Sequence, residues 1–363
     1  MSKRVIIAGG GTGGHIFPAV AVANALKELD ATIEILFVGA KGRMEMEKVP
    51  QAGYEIRGLD IAGFNRSSLI KNIALPFKLI KSFFQVRSIF KNFQPDAVFG
   101  VGGYSSYPVL RLAQAKGIPS FLHESNAFPG KSNLMLAKKA TKVFVSVPGM
   151  QQYFPADKII ISGNPVRQAI ADNSMDAIEA KKLFGLRADK ITLMAMGGSL
   201  GAKSINEAVD AGINELEASG VQLIWQTGKL YVAKAKKATE GKTGMWTNDF
   251  ISAMENAYAA ADIIISRSGA MSVAELCITG KPVVFVPYPF AAEDHQTFNA
   301  KALADTNAAV LIKDSDAKGQ LIKEVLSLAG NAQKRMELSS NIKQMAVKNA
   351  DKKIAKMILE SIE

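Results

Sequence analysis

His15, His123 and His295 are the only histidines in this chain of 363 residues, and the sequence predicts each in a turn after a short apolar run. Imidazole titrates near neutral pH, which makes these three the first candidates for moving a proton. His15 closes the run Gly9-Gly10-Gly11-Thr12-Gly13-Gly14, where bare backbone N–H groups precede a helical pattern containing Pro18. Such a turn suits a phosphate or a sugar, and it formally fits the G-x-G-x-x-G dinucleotide fingerprint. The acidic residue that fingerprint needs at the end of the second strand is missing, since Val38-Gly39-Ala40-Lys41 ends that strand and Arg43 follows. This argues against NAD and leaves an NADP reading open. No Gly-Lys-Ser/Thr follows the glycines, so the turn is not a Walker A loop.

Two later turns repeat the device. Gly197-Gly198-Ser199-Leu200-Gly201-Ala202 follows the apolar run 191–196 and aims backbone N–H groups, with the Ser199 hydroxyl, at whatever lies ahead. A diphosphate fits that description. Ser266-Arg267-Ser268-Gly269-Ala270 follows 263–266, and Glu275 comes one helical turn and more beyond Ala270. A carboxylate there either accepts both hydroxyls of a ribose or is a solvated helix residue. The one Asp-x-Asp, Asp314-Ser315-Asp316, reads as a helix start or turn, so the sequence requires no tightly bound metal or other cofactor.

The elements that must carry these turns are short apolar strands alternating with helical patterns, as in a parallel sheet with crossover helices. The runs 5–8, 33–38, 97–99 and 118–122 form one such unit. The pattern restarts at 191–196 and continues through 223–226, 263–266, 283–286 and 309–312. The fold class is therefore α/β with two Rossmann-like domains. Ser162-Gly163-Asn164-Pro165-Val166-Arg167 is the connection, which sets the domains at 1–164 and 165–341.

The formal net charge is +11, so nucleic acid, acidic lipid and phosphorylated substrates all qualify as anionic partners. The lone cysteine, Cys277, cannot form an intramolecular disulfide, which fits a reducing compartment. Lys3 and Arg4 are followed by too short an apolar run for a signal peptide, and no stretch has the length of a membrane span. Residues 61–95 hold no acidic residue, six basic ones (Arg66, Lys71, Lys78, Lys81, Arg87 and Lys91) and six of the 18 phenylalanines. Helical spacing there puts Leu79, Phe83, Val86 and Phe90 on one stripe and Phe77, Ile80 and Phe84 on the next, with Lys78, Lys81 and Gln85 opposite. That is either one wide core face or an interfacial helix touching anionic lipid.

Taken in order, Gly10 to His15, Gly102-Gly103-Tyr104, His123-Glu124-Ser125-Asn126, Gly163 to Arg167, Gly197-Gly198-Ser199, Ser266 to Glu275 and Asp294-His295-Gln296-Thr297-Phe298-Asn299 resemble the MurG family of bacterial glycosyltransferases, which make lipid II. The resemblance runs from residue 5 to about 310. It implies a GT-B fold, with the two domains facing each other across a cleft and a terminal helix, about 342–363, packing back on the first. It implies transfer of GlcNAc from UDP-GlcNAc to the MurNAc 4-hydroxyl of lipid I, undecaprenyl-pyrophosphoryl-MurNAc-pentapeptide, with inversion. The implied location is peripheral, on the cytoplasmic face of the inner membrane against anionic lipid, with no nucleic acid partner.

Carried over by residue, the donor contacts are Thr12, Gly13, Gly14, Asn126, Arg167, Ser199, Ile251 (through its backbone), Ala270, Met271, Ser272, Val273, Ala274, Glu275 on the ribose and Gln296 on GlcNAc. Tyr104, His123 and Asn133 fall on the acceptor side. Leu200 stands where the family reads glutamine, so a side-chain contact to the nucleotide is lost there. His15 and Glu124 are the two candidates for the base that deprotonates the attacking hydroxyl. Another UDP-sugar enzyme, such as a UDP-GlcNAc 2-epimerase or a glycolipid transferase, and an NADP-binding oxidoreductase are the competing readings.

Overall fold

The computed structural model describes residues 2–63, 73–291 and 294–362. The chain forms two compact units, one made of Met1–Arg167 with Asn349–Glu363 and the other of Gln168–Lys348. The units divide at Arg167 and Lys348, within a few residues of the divisions expected at 164 and 341, and the helix Ala350–Glu360 follows the second of them.

The first unit is built on the strands β1 (Arg4–Ala8), β2 (Glu34–Ala40), β3 (Glu55–Leu59), β4 (Ala97–Gly100), β5 (Ser120–Glu124), β6 (Lys142–Val145) and β7 (Ile159–Ile161). They form one sheet in the order β3-β2-β1-β4-β5-β6-β7, with every pairing parallel. Val5, Ile6, Ile7 and Ala8 are all buried, as a strand covered by helices on both faces must be. The helix Gly13–Leu29 buries Ile16, Ala19, Val22, Ala23 and Leu26 against one face. The helix Ala350–Glu360 lays Ile354, Ala355, Ile358 and Leu359 into that same cluster, and Lys352 pairs with Glu28 at 2.8 Å.

The second unit contains β8 (Thr192–Met196), β9 (Gln222–Gln226), β10 (Met245–Asn248), β11 (Ile263–Ser266), β12 (Val283–Phe285) and β13 (Val310–Leu311). Their order is β10-β9-β8-β11-β12-β13, again all parallel. In both sheets the order reverses beside the first strand, between β1 and β4 and between β8 and β11. Ligands of doubly wound sheets bind outside the carboxyl ends of strands at that reversal. The glycine turns after β1, β4 and β8 and the Arg267 turn after β11 are thereby placed at the two switch points.

The helix Leu75–Phe93 separates the two apolar stripes expected of it. Val86 and Phe90 are buried, Leu79 and Phe83 are half-buried, and Phe83 meets Tyr107 edge-on at 6.4 Å. The other stripe stays in solvent, with Phe77 74% and Phe84 70% exposed and Ile80 beside them. Lys81 pairs with Asp60 at 2.9 Å and Lys41 pairs with the same carboxyl at 3.0 Å, which together hold Asp60 down at about 2. Lys81 is exposed but paired, and Lys78, Arg87 and Lys91 are exposed as well. Arg66 and Lys71 lie outside the described residues. Among the described residues, no helix is long and apolar enough to cross a membrane.

Candidate active site

In the first unit the turn after β1 sets the geometry. Gly11 has φ 92°, and a Cβ built on Gly10 would fall 2.3 Å from the Glu45 carboxyl, so only glycine fits there. Glu45 is 1% exposed, and its two oxygens accept the N–H groups of Ala40 at 3.0 Å and Gly11 at 2.8 Å. Neither the composition nor the motifs single this residue out; it stands in an unremarkable charged stretch, Arg43 to Lys48. Its position counts against the dinucleotide reading, because the Gly11 N–H is already given to a buried carboxylate that would repel a pyrophosphate.

His15 lies in the first turn of the helix, with Nδ1 3.0 Å from the Gly10 carbonyl oxygen. A carbonyl only accepts, so Nδ1 carries the proton in this bond and Nε2 presents its lone pair. Gly102 faces that nitrogen: a Cβ there would lie 3.1 Å from His15 Nε2 and 3.8 Å from Asn133 Nδ2. Glycine at 102 therefore keeps the basic edge of the imidazole open. Thr12 is exposed at the helix N-cap, with its hydroxyl 3.5 Å from Nδ1. Gly13 and Gly14 follow it in the first turn, and Phe17 lies beneath the Arg167 guanidinium at 5.0 Å.

Glu124, the other candidate base, is held from four directions. Its Oε1 accepts the Asn126 backbone N–H at 3.1 Å and the Asn126 side-chain amide at 3.3 Å. Its Oε2 accepts from Gly130 N–H and Asn133 Nδ2, both at 2.9 Å. Donors occupy the lone pairs a base would use, so this carboxylate organises its loop, and Asn126 serves it with both of its nitrogens.

His123 corrects an expectation. It is 0% exposed and cannot touch an acceptor; its Nε2–H donates to the Gly163 carbonyl at 3.2 Å, and Ser125 Oγ lies 3.4 Å from Nδ1. Burial pushes it down to about 4, so it is neutral at pH 7. The other two residues expected on the acceptor side, Tyr104 and Asn133, place Tyr104 OH and Asn133 Oδ1 in the interior as well, and among the described residues these atoms have no hydrogen-bond partner. At pH 5 the unfolded chain protonates this histidine and the folded chain does not. Stability should therefore be full above about 6.5 and fall toward pH 4, by about 3 kcal/mol in all from this residue. Urea midpoints measured across that window should lose this slope in His123→Asn.

In the second unit the turns after β8 and β9 interlock. Gly201 has φ 78°, and a Cβ on it would fall 2.0 Å from the Thr227 carbonyl oxygen. Gln226 ties the switch point together, donating from Nε2 to the Gly198 carbonyl at 3.1 Å and accepting Ile251 N–H at 3.0 Å. Ile251 is thereby left with its carbonyl for a base, since its N–H is engaged. Ser199 is exposed ahead of the helix Lys203–Ala211, and Leu200 is 81% exposed.

The helix Ala270–Thr279 begins after Gly269, and Met271, Ser272, Val273 and Ala274 in its first turns are all half-buried. Glu275 is buried, and Tyr258 OH donates to its Oε2 at 3.0 Å. It is thus a fixed carboxylate, unlike a solvated helix residue. Glu275→Gln should weaken UDP and UDP-GlcNAc alike, by about 1–3 kcal/mol in calorimetric titration. Arg267 clamps the neighbouring loops, donating to the carbonyls of Val286 at 2.9 Å and Pro287 at 3.0 Å and to Asp314 at 2.5 Å. Asp314 also accepts from Ser204 at 2.5 Å, so the Asp-x-Asp is engaged in structure. Gln296, in the helix His295–Ala304, accepts Tyr288 N–H at 3.0 Å and keeps its amide nitrogen outside that bond. Among the described residues, no group of three or more His, Cys, Asp or Glu is placed to hold a metal ion.

Paired doubly wound sheets, each with N–H-lined turns at its reversal, a fixed carboxylate in the second and an open imidazole in the first, define a nucleotide-sugar glycosyltransferase of GT-B fold. Models of the glycosyltransferase family 28 N-terminal domain and C-terminal domain match residues 5–145 and 192–354. The chain belongs to glycosyltransferase family 28. A relative from Phocaeicola vulgatus, named UDP-N-acetylglucosamine--N-acetylmuramyl-(pentapeptide) pyrophosphoryl-undecaprenol N-acetylglucosamine transferase, is 49% identical across 98% of this chain and 96% of its own. The crystal structure of Acinetobacter baumannii MurG matches 99% of both chains at 31% identity, with TM-score 0.78. A UDP-GlcNAc 2-epimerase from Neisseria meningitidis matches 99% of this chain and 100% of its own with TM-score 0.70, but at 13% identity that likeness is one of fold.

Proposed function

We propose that the chain transfers GlcNAc from UDP-GlcNAc to the 4-hydroxyl of MurNAc in undecaprenyl-pyrophosphoryl-MurNAc-pentapeptide, giving lipid II for peptidoglycan. The observation that carries this is near-full-length identity of 49% to a relative of that name. The first unit supplies the base. His15 Nε2 takes the proton of the hydroxyl as its oxygen bonds to the anomeric carbon, while the bond from that carbon to UDP breaks and its electron pair leaves with the phosphate. Attack opposite the leaving group inverts the centre to a β-1,4 linkage. The departing diphosphate is met by the N-terminal ends of the helices Lys203–Ala211 and Ala270–Thr279, by Ser199 and by Arg167. These donors give the leaving group its stabilisation without a resident metal, and the engagement of Asp314 by Arg267 and Ser204 supports that reading.

On this reading Gln296 and the turn Thr12-Gly13-Gly14 hold the GlcNAc, Glu275 the ribose and Ile251 the uracil, while Tyr104 and Asn133 meet the acceptor. Labelled UDP-GlcNAc with a lipid I analogue should give a product heavier than the acceptor by one GlcNAc residue. Release of free ManNAc without any acceptor would instead mean an epimerase.

The exposed stripe of Phe77, Ile80 and Phe84, flanked by Lys78, fits a peripheral contact with anionic lipid on the cytoplasmic face of the inner membrane, where the lipid-linked acceptor is anchored. Because these phenylalanines contribute little to the core, Phe77→Ser with Phe84→Ser should keep the fold and the UDP affinity while reducing co-sedimentation with phosphatidylglycerol vesicles several-fold. Unchanged sedimentation would remove this face from the membrane contact.

A further inference from the structure

One peptide unit separates Glu45 from His15. Its N–H belongs to Gly11 and donates to Glu45 Oε2 at 2.8 Å; its C=O belongs to Gly10 and accepts from His15 Nδ1 at 3.0 Å. The unit is flanked by glycines with φ 153° and 92°, so its own sterics do little to fix which way it faces. The Glu45 carboxyl fixes which way it faces. Its other oxygen is tethered by the Ala40 N–H at 3.0 Å, and the group is buried against Gly10, leaving it little room to move. If the peptide flipped, its carbonyl would face the carboxylate and its N–H would face His15 Nδ1. That nitrogen would then have to accept, the proton would reside on Nε2, and the basic edge beside Gly102 would be lost.

We propose that Glu45 is the positioning residue of the base, holding the Gly10–Gly11 peptide so that His15 keeps its proton on Nδ1 and its lone pair on Nε2. This rests on His15 being the base. A glutamine at 45 keeps the size but brings one acceptor oxygen and one amide group to two N–H donors, so one donor loses its partner. Glu45→Gln should lower kcat about 10- to 100-fold with KM for UDP-GlcNAc and the affinity for UDP nearly unchanged. In a nitrogen NMR spectrum of the imidazoles, the Nδ1–H form of His15 should give way to the Nε2–H form.

Glu45→Ala should do both more strongly, and Glu45→Asp, too short to reach both amides, should fall between the wild type and the alanine variant. On a His15→Ala background, Glu45→Gln should cost no further kcat. Native kcat in Glu45→Gln, an unchanged tautomer beside a reduced kcat, or an equal fold-loss on the His15→Ala background would each overturn the proposal. Near-native kcat in His15→Ala alone would instead overturn the assignment of the base, so the two failures are told apart.

Discussion

His15→Ala should reduce kcat by about 10² to 10⁴, with KM for UDP-GlcNAc changing far less. A sugar hydroxyl is a poor nucleophile until its proton is being removed, and glycine at 102 leaves His15 Nε2 uncovered on that side. On the proposed function, nucleotide affinity rests on Ser199, the turn before Ala270 and Glu275 in the second unit, so UDP titration should read as wild type. Glu124→Gln measured alongside discriminates the two candidates. Loss of the carboxylate there disturbs Asn126, Gly130 and Asn133, so both KM and kcat should move. A large, pure kcat loss at Glu124 with a mild one at His15 would reverse the assignment.

Gly201→Ala should destabilise the second unit by about 2–4 kcal/mol and abolish tight UDP binding. The methyl group would press on the Thr227 carbonyl oxygen from 2.0 Å, and a left-handed backbone adds its own penalty for alanine. Backbone, unlike a flexible side chain, cannot swing aside, so the turn Gly197–Ala202 would have to lift away from Gly228. Chemical denaturation followed through Trp225 and Trp246, both in this unit, reads the stability, and calorimetry reads the nucleotide. A stable Gly201→Ala with native UDP affinity would show that the turn relaxes freely and that its shape is not what binds the diphosphate.

Much of this was legible beforehand because parallel strands buried on both faces are unbroken apolar runs. Residues 5–8, 97–99, 191–196 and 263–266 could be read directly, and with them both switch points and the turns that carry the site. The strands that escaped, β3, β6, β7 and β10, have weaker signals. β3, β7 and β10 are sheet edges with exposed or half-buried residues, and β6 shows only Val143-Phe144-Val145 after a lysine. Glu45 and Tyr258 escaped for a different reason. Each acts by reaching a partner far along the chain, Gly11 or Glu275, and nothing in local composition distinguishes an acid or a phenol that does so. His123 erred the other way: it stands in a strand-end motif, yet its ring turns inward to Gly163, a direction that spacing does not encode.

The helix Ala350–Glu360 belongs to the first unit although residues 168–348 intervene. On the ribosome, where the chain emerges from its amino end, the second unit is therefore complete before the first has received its last helix. Until then Val22 and Leu26 on the helix Gly13–Leu29 lack their cover of Ile354, Ala355 and Ile358. The half of the molecule that carries His15 is synthesised first and sealed last, so a ribosome stalled anywhere in residues 168–348 releases an unsealed first unit with an apolar face open to chaperones and proteases.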